Sequence, residues 1–182
     1  MNQKLNSNIF TATSSLKILS FLVDNPGREF LGSEIQKAIS ISRAGVYLAL
    51  RELIKEKLVI KTLKGKFLLY SIAYENPVVK QFKVLKNILF LQSIVSKLKS
   101  SAKKIILYGS ASRGEDSPDS DIDLFVLSKE PPETKGILSS LKLKRKIQAV
   151  VKSPSEWAEF KDKEKVFYEE VNRGITLFEE KE

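Results

Sequence analysis

Near residue 103 the apolar residues of this chain change period, and no other feature constrains its fold as strongly. Before that point they recur mostly at helical spacing, interrupted by one hairpin; after it short continuous runs bounded by turn residues alternate with helices. In the first part, Leu16, Leu19, Phe21 and Leu22 make a helical stripe that Asn25-Pro26-Gly27 closes. A short extended piece at 29–31 leads to Ser33, placed to cap a helix through Ile39. Ser42 is placed to cap a third helix to about Lys57, on which Val46, Leu50, Leu53 and Ile54 mark a buried face. Residues 58–60 and 67–70 read as two strands joined by the turn Lys64-Gly65-Lys66.

Asn76-Pro77 then opens a long helix with Val78, Phe82, Leu85, Leu89 and Leu98 on its apolar face. Its seven lysines, from Lys80 to Lys104, point elsewhere or flank its end. This helix reads either as a connector between domains or as the seat of a homodimer. Beyond residue 103, strands are expected at 104–108, 122–127, 147–151 and 175–178. Pro131-Pro132 reads as a loop before a helix at about 133–142. Ser153-Pro154-Ser155-Glu156 has the spacing of a capping box, and a last helix ends at Gly174. The expected fold class is α+β: a domain over residues 1–75, a connecting helix over 76–100, and an α/β domain with a small mixed sheet over 101–182.

Composition narrows the chemistry. The 182 residues include no cysteine and no histidine, which removes disulfides, thiolate zinc sites, cysteine nucleophiles and histidine bases. Reactive groups must come from carboxylates, hydroxyls, lysines, arginines and backbone amides. No apolar run approaches the roughly 20 residues of a membrane span, and MNQKLNSNIFTATSS lacks the layout of a signal peptide. No membrane partner and a cytoplasmic location are expected.

Charge is distributed unevenly. Residues 1–75 carry 11 basic and 6 acidic side chains, residues 76–104 carry 7 basic and none acidic, and residues 105–182 carry 13 basic and 16 acidic. A basic first part suits a polyanion, and clustered aspartates in the second suit a bound cation; a solvated lysine-rich surface is the plainer alternative.

The order of helix, short strand, helix, turn, helix and hairpin over residues 12–72 closely resembles the winged helix-turn-helix domains of archaeal and bacterial transcription regulators. That resemblance implies double-stranded DNA as partner. Ser42, Arg43, Tyr47 and Arg51 on the third helix would face the major groove, and Lys61, Lys64 and Lys66 on the wing would grip phosphates. Leu48 and Ala49 stand where relatives often carry a polar or basic residue. This departure leaves a protein-contact role for the third helix open.

The stretch LYGSASRGEDSPDSDIDLFVL is more specific. Gly109-Ser110 is followed by ten residues and then Asp121-Ile122-Asp123. Strand alternation places Asp121 and Asp123 on one face, where their mutual repulsion calls for a cation between them. The stretch resembles the active-site motif of minimal members of the nucleotidyltransferase superfamily that includes DNA polymerase beta; Arg113-Gly114-Glu115 and Ser120 also match. The resemblance implies Mg²⁺ or Mn²⁺ on Asp121 and Asp123, and a nucleoside triphosphate, with ATP foremost, held by Gly109 and Ser110. Arg113 would neutralise phosphate or pair with a local carboxylate. The implied reaction moves a nucleoside monophosphate to a hydroxyl on a small molecule or a partner protein, of toxin type where minimal members act as antitoxins. Such members usually carry a third catalytic carboxylate on the next strand, where this chain has Gln148. A neutral amide cannot act as a general base. Either a neighbour such as Glu115 substitutes, or the domain only binds nucleotide or mediates assembly and the chain acts as a DNA-binding transcription regulator.

Overall fold

A computed structural model describes residues 13–181. The chain divides into two compact units, which meet in sequence between Lys83 and Val84.

The first unit opens with α1 (Ser14–Val23), whose N-terminus is capped by the hydroxyl of Thr13 accepting from the Leu16 amide at 3.2 Å. Its buried stripe is Ile18, Leu19, Leu22 and Val23; Leu16, expected inside, is only half-buried. A two-residue strand β1 (Phe30–Leu31) follows, then α2 (Gly32–Ile39). Ser33 does not cap α2. The helix starts two residues earlier, with Leu31 at the cap, and the Glu34 carboxylate turns back to accept from the Leu31 amide at 2.7 Å. Ser42 does cap α3 (Arg43–Lys55), accepting from the Gly45 amide at 3.1 Å. The antiparallel hairpin of β2 (Val59–Lys64) and β3 (Phe67–Ile72) turns on Gly65 and Lys66, and β1 pairs with the far side of β3. Val46, Ala49, Leu50 and Leu53 of α3 close the core against α1 and the hairpin base.

Asn76 caps α4 (Pro77–Leu98), its side-chain oxygen accepting from the Val78 amide at 2.8 Å. The buried face of α4 overlaps the expected one, with Leu89 and Leu98 buried and Phe82 packed against the first core. Val78 and Leu85 are exposed, while Val79 joins the first core and Leu91, Ile94, Val95 and Leu98 join the core of the second unit. The buried series Val84, Asn87, Leu91, Ile94 and Leu98 has regular helical spacing. A polar residue inside it hid the stripe from an apolar count.

The second unit is a four-stranded sheet of order β6-β5-β4-β7. Its elements are β4 (Ala102–Tyr108), α5 (Gly109–Arg113), β5 (Ile122–Ser128), α6 (Pro131–Ser140), β6 (Ile147–Lys152), α7 (Pro154–Lys163), α8 (Lys165–Asn172) and β7 (Ile175–Glu179). Pro131 and Pro132 form the first turn of α6 rather than a loop before it, because a helix needs no amide donor there. Strand β5 runs parallel to β6 and antiparallel to β4. One face of the sheet carries Ile105, Leu107, Leu124 and Val126 in a core with the end of α4. The other carries Ile106, Tyr108 and Phe125 under Trp157, Phe167 and Val171 of α7 and α8. Ser153 and Glu156 form the expected capping box of α7.

Candidate active site

Strand β4 delivers the chain to Gly109, whose backbone has φ of +67°. A Cβ there would lie 2.3 Å from Asp123 Oδ2. Hydrogen in place of a side chain therefore makes room for the Asp123 carboxylate. The same register explains the neighbours of Asp123. It lies opposite Tyr108 on β4 and opposite Gln148 on β6, so all three belong to the sheet face covered by α7 and α8. Ile122, between the two aspartates, is fully buried. Asp121 stands just before β5, near enough for its charge to act on Asp123.

Ser110 is half-buried, and its hydroxyl has no hydrogen-bond partner among the described residues, which leaves it able to donate to a ligand. Helix α5 is only five residues long, so its dipole contributes little at the corner. Arg113 Nε lies 2.9 Å from Glu115 Oε2, the local pairing that was one of its two expected roles.

Electrostatics point to a residue the sequence did not single out. Burial, then the charges of Glu170 and Asp121, hold the Asp123 carboxyl above its ordinary value. Burial and the charges of Asp123 and Glu170 push the Tyr108 hydroxyl up to about 12. Glu170 stands on α8, 47 positions beyond Asp123, and reaches this corner because Phe167 packs edge-on to Tyr108 with ring centroids 5.7 Å apart. Local sequence gives no sign of it; only the packing of α8 on β4 does. Gln148 is exposed and neutral in the register position opposite Asp123. Among the described residues no group of three or more acidic side chains is gathered closely enough to hold a metal.

The segment between Ser110 and Asp121 is fastened from beneath. The Asp116 carboxylate, 1% exposed, lies 2.6 Å from Arg145 Nη2 and accepts from Asn87 Nδ2 at 3.1 Å. Asn87 also donates to the Ala111 carbonyl, and Arg145 donates to the carbonyls of Ser120 and Ser117 and to Asn87 Oδ1. Ser120 accepts from the Ser117 amide through its hydroxyl. Lys146, next to Arg145, places its ammonium 2.6 Å from Asp121 Oδ2.

In the first unit, Arg43, Tyr47 and Arg51 are exposed on α3, and Tyr47 reaches 66% exposure with Leu48 beside it at 53%. Ser42 is exposed but has its hydroxyl engaged in the α3 cap. Lys61, Lys64 and Lys66 are exposed on the hairpin; Lys64 is paired with Glu29, and Lys66 lies over the Phe67 ring. No described helix is long and apolar enough to cross a membrane.

A family model described as Polymerase beta, Nucleotidyltransferase matches residues 91–182, a little over half of the chain. No curated protein and no solved structure matches it.

Proposed function

The chain belongs to the polymerase beta nucleotidyltransferase family, and from that premise we propose that its second unit transfers a nucleoside monophosphate. The donor in this reading is a nucleoside triphosphate such as ATP, and the acceptor is a hydroxyl on a partner protein or small molecule. The acceptor oxygen bonds to the α-phosphorus as the bond to the bridging oxygen breaks, and pyrophosphate leaves with that electron pair. The observation that carries the reading is the corner itself: Asp123 seated against Gly109, with Asp121 two residues before it and the Ser110 hydroxyl unengaged.

The donor set fits a hard divalent cation. Asp123 is held above its ordinary pKa by burial and by Glu170 and Asp121, and a cation between the two aspartates would relieve that strain. Asp121 and Asp123 would hold Mg²⁺ or Mn²⁺, which when bound supplies charge neutralisation of the phosphates and of the departing pyrophosphate. The chain's own residues do the rest. Ser110 donates to a phosphate oxygen. Gln148 can accept a hydrogen bond but takes no proton, which leaves exposed Glu170 as the nearby carboxylate to receive the proton of the acceptor hydroxyl.

Incubation with ATP labelled at the α-phosphate, Mg²⁺ or Mn²⁺ and a cell lysate should put label on an acceptor, and Asp121→Asn should abolish it. One observation favours a second reading, a regulator that binds nucleotide without transferring it: the neutral Gln148 opposite Asp123. Saturable ATP binding with no label transfer under any acceptor would establish that reading instead.

The first unit is proposed to be a winged helix-turn-helix domain that binds duplex DNA. Its order of elements supports this, as do exposed Arg43, Tyr47 and Arg51 on α3 and basic side chains on the hairpin. Affinity for duplex DNA should then fall steeply with salt, and Lys61→Ala with Lys66→Ala should lower the slope of log K against log salt by about one unit per lysine. Absent or salt-independent binding would assign the exposed pair Tyr47 and Leu48 to a protein contact.

A further inference from the structure

We infer that the second unit carries a docking groove for a partner protein, filled by an extended segment that is apolar on one side and acidic at one end. Strand β7 ends the sheet order, so among the described residues its outer edge pairs with no strand. Such an edge presents a row of backbone donors and acceptors that an incoming chain can satisfy. Beside it lies a groove of about 410 Å³ between β7 and the second half of α4. Ile88 and Val95 of α4 and Ile175 and Leu177 of β7 give it an apolar lining, and Ser96 and Thr176 stand exposed at its border. An added strand would hydrogen-bond to β7 and seat alternate side chains in that groove.

Charge selects the occupant. Residues 76–104 hold seven basic side chains and no acidic one. Lys104 is paired with Glu179 at 2.9 Å, but Lys97, Lys99 and Lys103 are exposed and have no acidic partner among the described residues. Lys99 lies over the Phe178 ring, 5.4 Å from its centroid, and the Glu180 amide donates to the Lys103 carbonyl. Both lysines therefore stand at the Glu179 end of β7. A second copy of this chain is a poor match for them. Antiparallel pairing of β7 with itself would bring the copy's own exposed Arg173 to that end, like charge on like. A polynucleotide would satisfy the lysines and leave the apolar lining and the strand edge unused. A peptide running antiparallel to β7 meets all three features. Carboxylates at its N-terminal end face Lys99 and Lys103, and its apolar side chains lie over Ile175 and Leu177.

The probe is a fluorescein-labelled peptide, Glu-Glu-Val-Thr-Val-Thr-Val, added to the full chain and followed by fluorescence anisotropy. Lys-Lys-Val-Thr-Val-Thr-Val and an oligothymidine of about twelve bases serve as comparisons. The acidic peptide should bind and should slow hydrogen exchange of the amides over 175–179. Lys99→Glu with Lys103→Glu should weaken it at least about tenfold and tighten the lysine peptide by a similar factor. Ser96→Trp should fill the groove and abolish binding of the acidic peptide. All three positions are exposed, so the thermal melts of these variants should match the parent. No binding at about 1 mM acidic peptide would overturn the proposal. So would binding that ignores the charge reversal or Ser96→Trp, or that leaves β7 unprotected. Oligothymidine binding governed by the same lysines, with β7 unprotected, would assign them to nucleic acid instead. Concentration-dependent protection of β7 in the free chain would assign the edge to a second copy. None of these readouts involves nucleotide transfer, so the reading of the Gly109 corner stands or falls separately.

Discussion

Asp123→Asn is expected to lower nucleotide transfer roughly 10³-fold, about 4 kcal/mol of activation free energy, while raising the melting temperature of the cation-free protein at neutral pH. The two effects share one cause. Asp123 is half-buried between Asp121 and Glu170, against a glycine that leaves just enough room for it, and its carboxyl titrates above the ordinary value. A raised folded-state pKa means that the folded chain holds the proton more tightly than the unfolded chain. Ionisation of Asp123 therefore costs stability at pH above its folded value. The cost disappears as the pH falls toward the unfolded value of about 4. Asparagine has the same shape and no charge, so the variant should melt higher at pH 7 and converge with the parent in mild acid. Mg²⁺ added together with a non-hydrolysable ATP analogue should reverse the order, because the two stabilise only the chain with both carboxylates. Equal melting temperatures at pH 7 would refute the electrostatic account; unimpaired transfer would refute the catalytic one.

Gly109→Ala should cost about 2–4 kcal/mol and lower the melting temperature of the second unit by roughly 10 °C or more. An alanine at φ of +67° is strained wherever it stands. Here its methyl would also lie 2.3 Å from Asp123 Oδ2, far inside van der Waals contact, so the carboxylate must shift. Transfer should fail together with stability, so a control is needed. Gly136→Ala on α6 provides it: nothing lies within 4 Å of a methyl added there, and the substitution should leave melting unchanged or raise it slightly. Calorimetry of the two variants side by side separates strain at the corner from a general intolerance of alanine. If Gly109→Ala melted like Gly136→Ala, the close approach of Asp123 to the corner would be disproved.

The parts of the site legible in the sequence were those fixed by period and spacing. The spacing put Asp121 and Asp123 to either side of buried Ile122 in sequence, and the expected third-strand position of Gln148 is the one paired with Asp123. Caps at Ser42, Asn76 and Ser153 were equally readable, since a hydroxyl or amide before an apolar period has a local job. What escaped was set by packing between distant elements. Glu170 reaches Asp123 only because Phe167 docks on Tyr108. Asn87 broke an apolar count on α4 because it serves Asp116, 29 residues away. Lys146 sat in an ordinary-looking basic run, and only the register of β6 beside β5 brings it to Asp121.

The fastening of the Ser110–Asp121 segment has a consequence for how this protein can vary. Arg145 holds a buried carboxylate and two carbonyls of one short excursion at once, and Asn87 ties the start of that excursion to the same group. Exposed Pro118 and Asp119 at its tip should accept many substitutions. Adding or deleting one residue would instead leave Asp116 or Arg145 charged, enclosed and without its counterpart, a loss of about 3–5 kcal/mol. The interval between serine and aspartate is therefore a measured length of chain, cut to fit an ionic rivet beneath it.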